Sequence, residues 1–338
     1  MNLPRLSVAP MVDWSDRHFR YFLRFLAPRS LFYTEMRSTG AVLYGHEESI
    51  LGFDPFEKPL SLQLAGDDPQ DLTKAVQKAE ALPYDEYNLN CGCPSDKVQE
   101  AHFGACLMAE PDLVARLVTA MKKATSRPVT VKHRIGIDGL ESYEDMLRFV
   151  KAVQNAGADR VIVHARIAIL KGLDPKENRE IPPLRYEDVY RLKTEVPQLP
   201  IEINGGIRTI ENLKIQLSRV DGVMLGRAAY EDPYFMAVAE EEVFGTPRPT
   251  RRQVIEAIMP YVDEWQKRDI SVYKIARHMT SLLAGFPGAR KWRQALSPPF
   301  QKVERSSELF QRLLAVLPSW VLDSTDLRPN STKSLVSS

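Results

Sequence analysis

The chain has 338 residues, of which 44% are hydrophobic and 26% charged, and its formal net charge is +1 at pH 7. These values are ordinary for a soluble globular protein and exclude wholesale disorder, and the length suits a barrel-sized domain with a smaller one beside it. Three cysteines cannot form a disulfide framework, and no apolar run approaches the roughly 20 residues of a membrane-spanning helix. Because "MNLPRLSVAP" has no signal-peptide pattern, we expect a cytoplasmic protein with reduced thiols and no membrane role.

Short β-rich runs alternate with helical patterns in the first two thirds of the chain. The predicted strands are 5–11, 31–36, 59–66, 84–90, 128–136, 158–166, 199–206 and 220–227. Helical segments lie between them, such as 67–82, where Pro69 falls in the first turn. Near-continuous apolar strands joined by helical crossovers indicate a buried parallel sheet, and eight such units favour a TIM (β/α)8 barrel over an open doubly wound sheet.

The pattern changes at the Pro-rich segment 244–250, after which helical patterns follow without strands. We therefore predict a barrel domain over 1–245, a small all-α helical bundle over 246–325, and a polar tail over 326–338. Residues 251–338 hold 14 Lys and Arg against 8 Asp and Glu, whereas the first 250 residues are acidic on balance. A basic end suggests a polyanionic partner, although basic solvated helix faces would look the same.

Unusual residues stand where most of the predicted strands end. In a TIM barrel the carboxyl ends of the strands and the loops after them carry the chemistry, so we expect these side chains to meet at one mouth. They are Ala9, Pro10 and Met11; Gln63; Asn88 and Asn90; Lys132; His164 and Arg166; Asn204, Gly205 and Gly206; and Gly226 and Arg227.

The last two strands are followed by the turns "INGGI" and "MLGRA", which place glycines where backbone N–H groups can close on a phosphate. Arg227 would add positive charge to that site. Gln63 and Lys132 are placed for the polar edge of a ring, with Lys132 able to stabilise negative charge near a flavin N1–C2=O. A tightly but non-covalently bound FMN fits this set. His164 alone could equally be a core histidine, but its neighbour Lys132 favours the cofactor site.

Two cysteines, Cys91 and Cys93, lie in "YNLNCGCPSDKV" on the loop after the fourth predicted strand. With Cys106 and His102 they match zinc-ligand spacing poorly, so we predict no metal site. A disulfide between cysteines one residue apart would be strained. A thiol above the ring site is better suited to donate a proton, which is general acid catalysis.

Seven segments together resemble the tRNA-dihydrouridine synthases, and most closely their A subfamily. They are "VAPMVDWSDRHFR", "LQLAG", "YNLNCGCPSDKV", "VTVKHRIG", "VIVHAR", "INGGI" and "DGVMLGRAAYEDPYF". The resemblance implies an FMN-dependent enzyme that uses NADPH to reduce the C5=C6 bond of uridines in the tRNA D loop, at U20 and U20a. Hydride would pass from flavin N5 to C6 and a proton to C5.

The same resemblance implies roles for individual residues. Cys93 matches the proton donor, Asn90 a residue that faces the uracil, and Arg166 a residue that contacts the substrate. The residues matched to FMN binding are Pro10, Met11, Gln63, Lys132, His164, Asn204, Gly206, Gly226 and Arg227. Ala9 and Gly205 stand beside them at the same strand ends, and we include them in the predicted cofactor site.

A stacked uridine must leave the RNA to reach a barrel mouth, so binding energy has to come from elsewhere on the tRNA. We expect it from the basic helical region, with Arg290, Lys291 and Arg293 as tRNA contacts. Arg251, Arg252, Lys274 and Arg277 are further candidates in this region. Trp292 either stacks on a base or, as we prefer, packs in the core.

Three alternatives remain at this point, and the first is a small-molecule FMN reductase such as a dihydroorotate dehydrogenase or an ene reductase. The others are an aldolase using Lys132 as a Schiff-base nucleophile and a non-catalytic RNA-binding protein. A basic helical extension has no use in a small-molecule reductase. No obligate protein partner is evident.

Overall fold

The computed structural model describes residues 3–297 and 305–328. The chain forms two compact units, one of residues 1–15 with 30–226 and the other of residues 16–29 with 227–338. The first unit ends at residue 226, and residues 16–29 belong with the C-terminal helices. The predicted domain boundary at 245 stays a prediction.

The first unit is built on parallel strands. In the described residues these are β1 (Leu6–Val8), β2 (Leu31–Tyr33), β3 (Arg37–Ser38), β4 (Leu60–Ala65), β5 (Glu86–Cys91), β6 (Val129–Arg134), β7 (Arg160–His164), β8 (Ile201–Asn204) and β9 (Gly222–Leu225). β1 pairs with both β2 and β9, and β2 pairs with the start of β4, so eight strands close into a barrel, while β3 pairs with the end of β4. The predicted TIM barrel is confirmed, with strands somewhat shorter than the apolar runs.

Helices α2 to α9 belong to the same unit. They are α2 (Thr39–Tyr44), α3 (Glu47–Ile50), α4 (Pro69–Ala79), α5 (Asp96–Glu100), α6 (Pro111–Ala124), α7 (Tyr143–Asn155), α8 (Tyr186–Glu195) and α9 (Ile210–Leu217). Their starts follow local chemistry, since Asp68 accepts the first free N–H groups of α4 and Ser142 forms a capping box with Asp145 at α7. Helices with these caps need no tertiary contact to fix where they begin.

The barrel interior near the amino ends of the strands holds a buried network of charges, which we call the floor. Arg160 Nη2 lies 2.6 Å from Glu86 Oε2, and Arg160 Nε lies 3.3 Å from Glu202 Oε2. Tyr33 donates to Glu86 at 2.9 Å, and Ser7 donates to Glu202. Burial alone would lower the pKa of Arg160, but the two carboxylates outweigh it and hold that pKa above its usual value. Each charge of the floor therefore has a partner.

The second unit is helical. It comprises α1 (Arg17–Arg24), α10 (Arg227–Glu231), α11 (Tyr234–Phe244), α12 (Arg251–Gln266), α13 (Tyr273–Ala276), α14 (Ala289–Ala295), α15 (Ser307–Val316) and α16 (Ser319–Leu322). The helical pattern after residue 271 is interrupted, because α13 passes into a 3-10 turn at Arg277–Met279 and Gly285 has a φ of +83°. Trp292 packs in the core as preferred, with its indole N–H donating to Met279 at 2.8 Å. Among the described residues, no helix is long and apolar enough to cross a membrane.

Candidate active site

Polar side chains from neighbouring strands meet inside the barrel toward the carboxyl ends. Asn90 on β5 donates through Nδ2 to Gln63 Oε1 on β4 at 2.8 Å. Lys132 on β6 stands opposite Asn90 in the strand register, and His164 on β7 stands opposite Asn204 on β8. Because parallel strands present their carboxyl ends at the same side, these five predicted residues share one end of the barrel, which we call the mouth.

Cys93 is held on the loop after β5 by the side chain of Asn90. The Oδ1 atom of Asn90 accepts the backbone N–H groups of Gly92 and Cys93, both at 3.0 Å. The carbonyl of Cys93 accepts the N–H of Ala105 at 2.9 Å, and its half-buried thiol lies 3.7 Å from Ser95 Oγ. The side chain of Asn90 therefore both donates to Gln63 and fixes the conformation of the cysteine loop.

The other two cysteines have different environments. Cys91 is fully buried, and this burial raises the pKa of its thiol far above the usual value. Cys106 is half-buried, donates to the carbonyl of Phe103 at 3.2 Å, and also has its pKa raised by burial. In the described part of the chain, no group of three His, Cys, Asp or Glu side chains could hold a metal ion.

Lys132 is a half-buried cation whose amine makes no hydrogen bond or ion pair with any residue that the structure describes. Burial, and secondarily the charge of Arg134, lowers the pKa of Lys132 to about 8. The amine therefore keeps its proton at pH 7. A protonated amine without a protein partner is costly, and it fits a site that receives a negatively charged group.

His164 is buried at the last position of β7, and its imidazole has no hydrogen-bond partner within residues 3–297 and 305–328. Burial, then the charges of Arg134 and Lys132, lowers the pKa of His164 well below its usual value. The ring is therefore neutral at pH 7, with nitrogen atoms that can accept or donate a hydrogen bond to a ligand.

The turns after β8 and β9 have the backbone that a close ligand requires. Gly205 and Gly206 have φ values of +116° and +69°, and a Cβ atom on Gly205 would lie 2.7 Å from His164 Cδ2. A Cβ atom on Gly226 would meet only the Cβ of Ala9, at 3.8 Å. Gly205 and Gly206 therefore need to be glycine, because their φ is positive and a Cβ atom would lie too close to neighbouring side chains. At Gly226 the missing Cβ leaves open space beside β1.

Ala9, Pro10 and Met11 follow β1 along the apolar side of the mouth. The N–H of Ala9 donates to Leu225 at 2.8 Å, and Met11 packs against an apolar cluster. This cluster consists of Ala9, Leu31, Tyr33, Ile162 and Met224. Asn204 is fixed beside it, because its Nδ2 donates to the Met224 carbonyl at 2.8 Å.

Arg166 begins the loop after β7 and donates to the backbone carbonyls of Glu180 and Pro182, so it fastens its own loop. Arg134, which is not among the predicted site residues, is buried and donates to the backbone carbonyls of Gly92 at 3.2 Å and Asn178 at 2.9 Å. Arg134 thus ties the cysteine loop to the loop after β7. Its position at the end of β6 was the only sequence signal for this role.

The remaining predicted site residues lie in the helical unit. Arg227 is the first residue of α10, while Arg290, Lys291 and Arg293 are exposed on α14. Lys274 is exposed near them in sequence. The structure describes these positions within their own unit only, so their roles stay predictions.

One of the further tRNA-contact candidates, Arg251, is buried, and two more, Arg252 and Arg277, form ion pairs within the helical unit. Arg251 is fully buried and donates to the carbonyls of Leu282, Ser324 and Asp326. Arg252 pairs with Asp323 at 2.6 Å, and Arg277 pairs with Asp16 at 2.6 Å. Arg251 is therefore not available to a phosphate, whereas Arg252 and Arg277 are partly exposed and their contact with tRNA stays a prediction.

The mouth can be compared with what a flavin requires. The flavin ring needs a cation near its N1–C2=O edge and amide groups along its polar edge, which Lys132, Gln63 and Asn90 can supply. The phosphate needs free backbone N–H groups with room for close approach, which the glycine turns after β8 and β9 can supply. The residues present therefore fit a flavin nucleotide.

A solved structure shares the barrel. A 2-naphthoyl-CoA reductase complex matches with a TM-score of 0.55 and 12% identity, covering 72% of this chain and 50% of that chain. This chain thus spans about half the length of that reductase, and the likeness concerns the fold alone.

Curated relatives are much more similar in sequence. A tRNA-dihydrouridine(20/20a) synthase of Synechocystis is 54% identical over 311 residues, covering 91% of this chain and 93% of the relative. Proteins of the same name from Pseudomonas syringae and Vibrio cholerae are 51% and 46% identical, covering 89% and 93% of this chain and 90% and 97% of the relatives.

The family model described as dihydrouridine synthase matches residues 7–316. That span covers the mouth, the cysteine loop and most of the helical unit. The chain therefore belongs to the dihydrouridine synthase family, whose members are flavin-dependent enzymes that reduce uridine to dihydrouridine.

Proposed function

We propose that this protein reduces the C5=C6 bond of the D-loop uridines 20 and 20a in tRNA, with FMN as cofactor and NADPH as reductant. The names of the relatives give these positions for those proteins. The observation that carries the proposal is the mouth itself, where Asn90 accepts the backbone N–H of Cys93 and stands opposite Lys132, whose amine has no hydrogen-bond partner in the described residues. This arrangement favours the synthase over an aldolase or a small-molecule reductase.

FMN would be held along the mouth from its ring to its phosphate. Gln63, Lys132 and His164 would bind the ring, with Ala9, Pro10 and Met11 on the apolar side and Asn204 behind it. Gly205, Gly206, Gly226 and Arg227 would hold the phosphate. When bound, the flavin supplies the hydride that reaches uracil C6. Lys132 would keep its proton and neutralise the negative charge of the reduced ring.

Cys93 would supply the second hydrogen, as a proton delivered to C5. A proton donor must be accessible to the base, and Cys93 is a half-buried thiol on the loop that follows β5. Asn90 would face the uracil while its carbonyl keeps the loop in place. Arg166 would contact the substrate from the loop after β7. Cys91 is sealed in the barrel wall and has no access to a base.

The proposal is tested by measuring two half-reactions in Cys93→Ala and Cys91→Ala proteins. Cys93→Ala should slow uridine reduction by roughly 10²–10⁴-fold, the contribution of a positioned general acid, while NADPH still reduces the bound flavin. Cys91→Ala should mainly lower stability, since it removes a small buried side chain. Uridine reduction at the wild-type rate in Cys93→Ala would remove Cys93 from the mechanism.

Binding energy for extracting the uridine would come from the helical unit. Arg290, Lys291 and Arg293 are exposed on one short helix, so they can contact phosphates. Replacing all three with Gln should weaken tRNA binding and reduce the slope of log Kd against log salt by roughly 2–3, because each phosphate contact releases about one counterion.

The matched control replaces three exposed lysines of the barrel unit with Gln, namely Lys74, Lys123 and Lys151. It removes the same amount of positive charge from the other unit. Equal losses in the two triple variants would mean that α14 has no special role. Mapping dihydrouridine by position in unmodified tRNA treated with the protein and either NADPH or NADH tests the uridines and the reductant directly.

A further inference from the structure

A continuous chain of side-chain hydrogen bonds joins the floor of the barrel to the cysteine loop. Thr130 donates to Glu86 Oε1 at 2.8 Å, and Asn88 Nδ2 donates to Thr130 Oγ1 at 2.8 Å. Gln63 Nε2 donates to Asn88 Oδ1 at 2.7 Å, and Asn90 Nδ2 donates to Gln63 Oε1 at 2.8 Å. The carbonyl left over on Asn90 accepts the two loop N–H groups described above.

The direction of every bond in this chain follows from its first member. A carboxylate paired with Arg160 only accepts hydrogen bonds, so the single hydroxyl hydrogen of Thr130 points to Glu86. The carbonyl of Tyr87, 3.5 Å from Thr130 Oγ1, is also only an acceptor and gives the same direction. The oxygen of Thr130 must then accept from the amide nitrogen of Asn88.

The remaining amides are fixed in turn. Asn88 presents its oxygen to Gln63, Gln63 presents its oxygen to Asn90, and Asn90 is left with its oxygen toward the loop. Turning any one amide over would place two donors or two acceptors face to face. Because the backbone N–H groups of Gly92 and Cys93 require an acceptor, the chain and the loop demand the same orientation of Asn90.

We propose that Thr130 and Asn88 are positioning residues that, through Gln63 and Asn90, hold the Cys93 loop in the conformation that delivers the proton. The proposal rests on the proposed function for its catalytic consequence, but not for its effect on the loop. Thr130 is the second residue of β6, and Asn88, which sequence analysis placed at a strand end, lies in the middle of β5, so both are buried below the mouth. They act through Asn90 rather than on the substrate.

Ser61 provides a matched control within the same network. Its hydroxyl donates to Glu86 Oε1 at 3.1 Å, as that of Thr130 does. Within the described residues, however, the Ser61 hydroxyl oxygen accepts no hydrogen bond from another side chain. Ser61→Ala and Thr130→Val therefore each remove one donor from Glu86. Only Thr130→Val also removes the acceptor of Asn88.

The experiment compares Thr130→Val, Thr130→Ser, Asn88→Ala and Ser61→Ala in the full-length protein. Amide hydrogen exchange is followed in the peptide that contains Gly92 and Cys93. We expect faster exchange there in Thr130→Val and Asn88→Ala, and wild-type exchange in Ser61→Ala and Thr130→Ser. Wild-type exchange in both Thr130→Val and Asn88→Ala, or equal acceleration in Ser61→Ala, would overturn the proposal. Asn88→Ala keeps the test available if Thr130→Val does not fold.

Single-turnover uridine reduction by the reduced protein, at saturating FMN, gives the catalytic readout. Thr130→Val should be slowed by roughly 10- to 100-fold, the effect of a misplaced catalytic group, and Thr130→Ser should restore the rate. A deficit that saturating FMN removes would assign Thr130 to flavin binding alone and overturn the proposal. If the wild-type protein does not reduce uridine in tRNA, the proposed function fails, and if Cys93→Ala reduces uridine normally, Cys93 is removed from the mechanism. In either case the exchange measurement still decides whether the chain holds the loop.

Discussion

The two ends of the barrel interior treat buried ionisable groups differently. At the floor, Arg160 contacts Glu86 and Glu202, and both carboxylates accept further hydrogen bonds. At the mouth, Lys132 and His164 have no hydrogen-bond or ion-pair partner in the part of the chain that the structure describes. The same barrel therefore satisfies its charges at one end and leaves them unsatisfied at the other.

This difference distinguishes residues that stabilise the fold from residues that are available to bind a ligand. Burying an unpaired charge costs free energy, and the paired floor shows that this barrel can supply partners where stability requires them. Perturbed groups without partners are typical of functional sites. Variants at the floor should therefore lower the free energy of unfolding, whereas variants at the mouth should weaken ligand binding.

The largest effect is expected at the floor. Arg160→Met leaves Glu86 and Glu202 buried without their cation, so the free energy of unfolding of the barrel should fall by about 3–5 kcal/mol. Urea denaturation followed by circular dichroism measures this loss. Arg148→Met is the control, because Arg148 pairs with Asp145 at the surface and should contribute about 0–1 kcal/mol. Equal small losses in both would mean that the floor does not depend on pairing.

At the mouth, Lys132→Met should weaken FMN binding. Losing a charge-assisted contact of about 1.5–3 kcal/mol raises the Kd by roughly 10- to 100-fold. Fluorescence titration of the FMN-free protein measures it, with Lys151→Met, an exposed lysine on α7, as the control. An unchanged Kd in Lys132→Met would place the flavin ring elsewhere.

A smaller effect is expected from pH. The pKa of Lys132 is lowered to about 8, and a negatively charged ligand favours its protonated form. Below pH 8 the proton is already present, whereas above pH 8 FMN binding must take up a proton. The Kd for FMN should therefore rise roughly tenfold between pH 7 and pH 9 in the wild type. In Lys132→Met it should stay constant over this range, and a parallel rise there would assign the pH dependence to another group.

Sequence patterns predicted the barrel well because its signals are local. Apolar runs with inward polar residues at two-residue spacing, as in Asn88 and Asn90, identify strands and place their side chains on one face. The cysteines could also be distinguished in advance, because Cys91 follows directly on the predicted strand 84–90 whereas Cys93 stands two residues further into the loop.

Other features depend on contacts that no local pattern reveals. Residues 16–29 look like an ordinary crossover helix, yet Asp16 pairs with Arg277 and His18 contacts Tyr261 at 2.9 Å. Arg251 looks like a surface cation, yet its guanidinium lies 3.8 Å from the centre of the Tyr234 ring. Thr130 is an ordinary strand residue in sequence, and only the structure shows its two side-chain partners.

The most direct test of the contrast between floor and mouth is the stability of the FMN-free Lys132→Met protein. If Lys132 is kept for a ligand, removing its unpartnered charge should leave the free energy of unfolding of the barrel unchanged or raise it, while FMN binding is weakened. A loss of several kcal/mol, like that expected for Arg160→Met, would contradict the account, because it would show that the Lys132 ammonium holds the fold together.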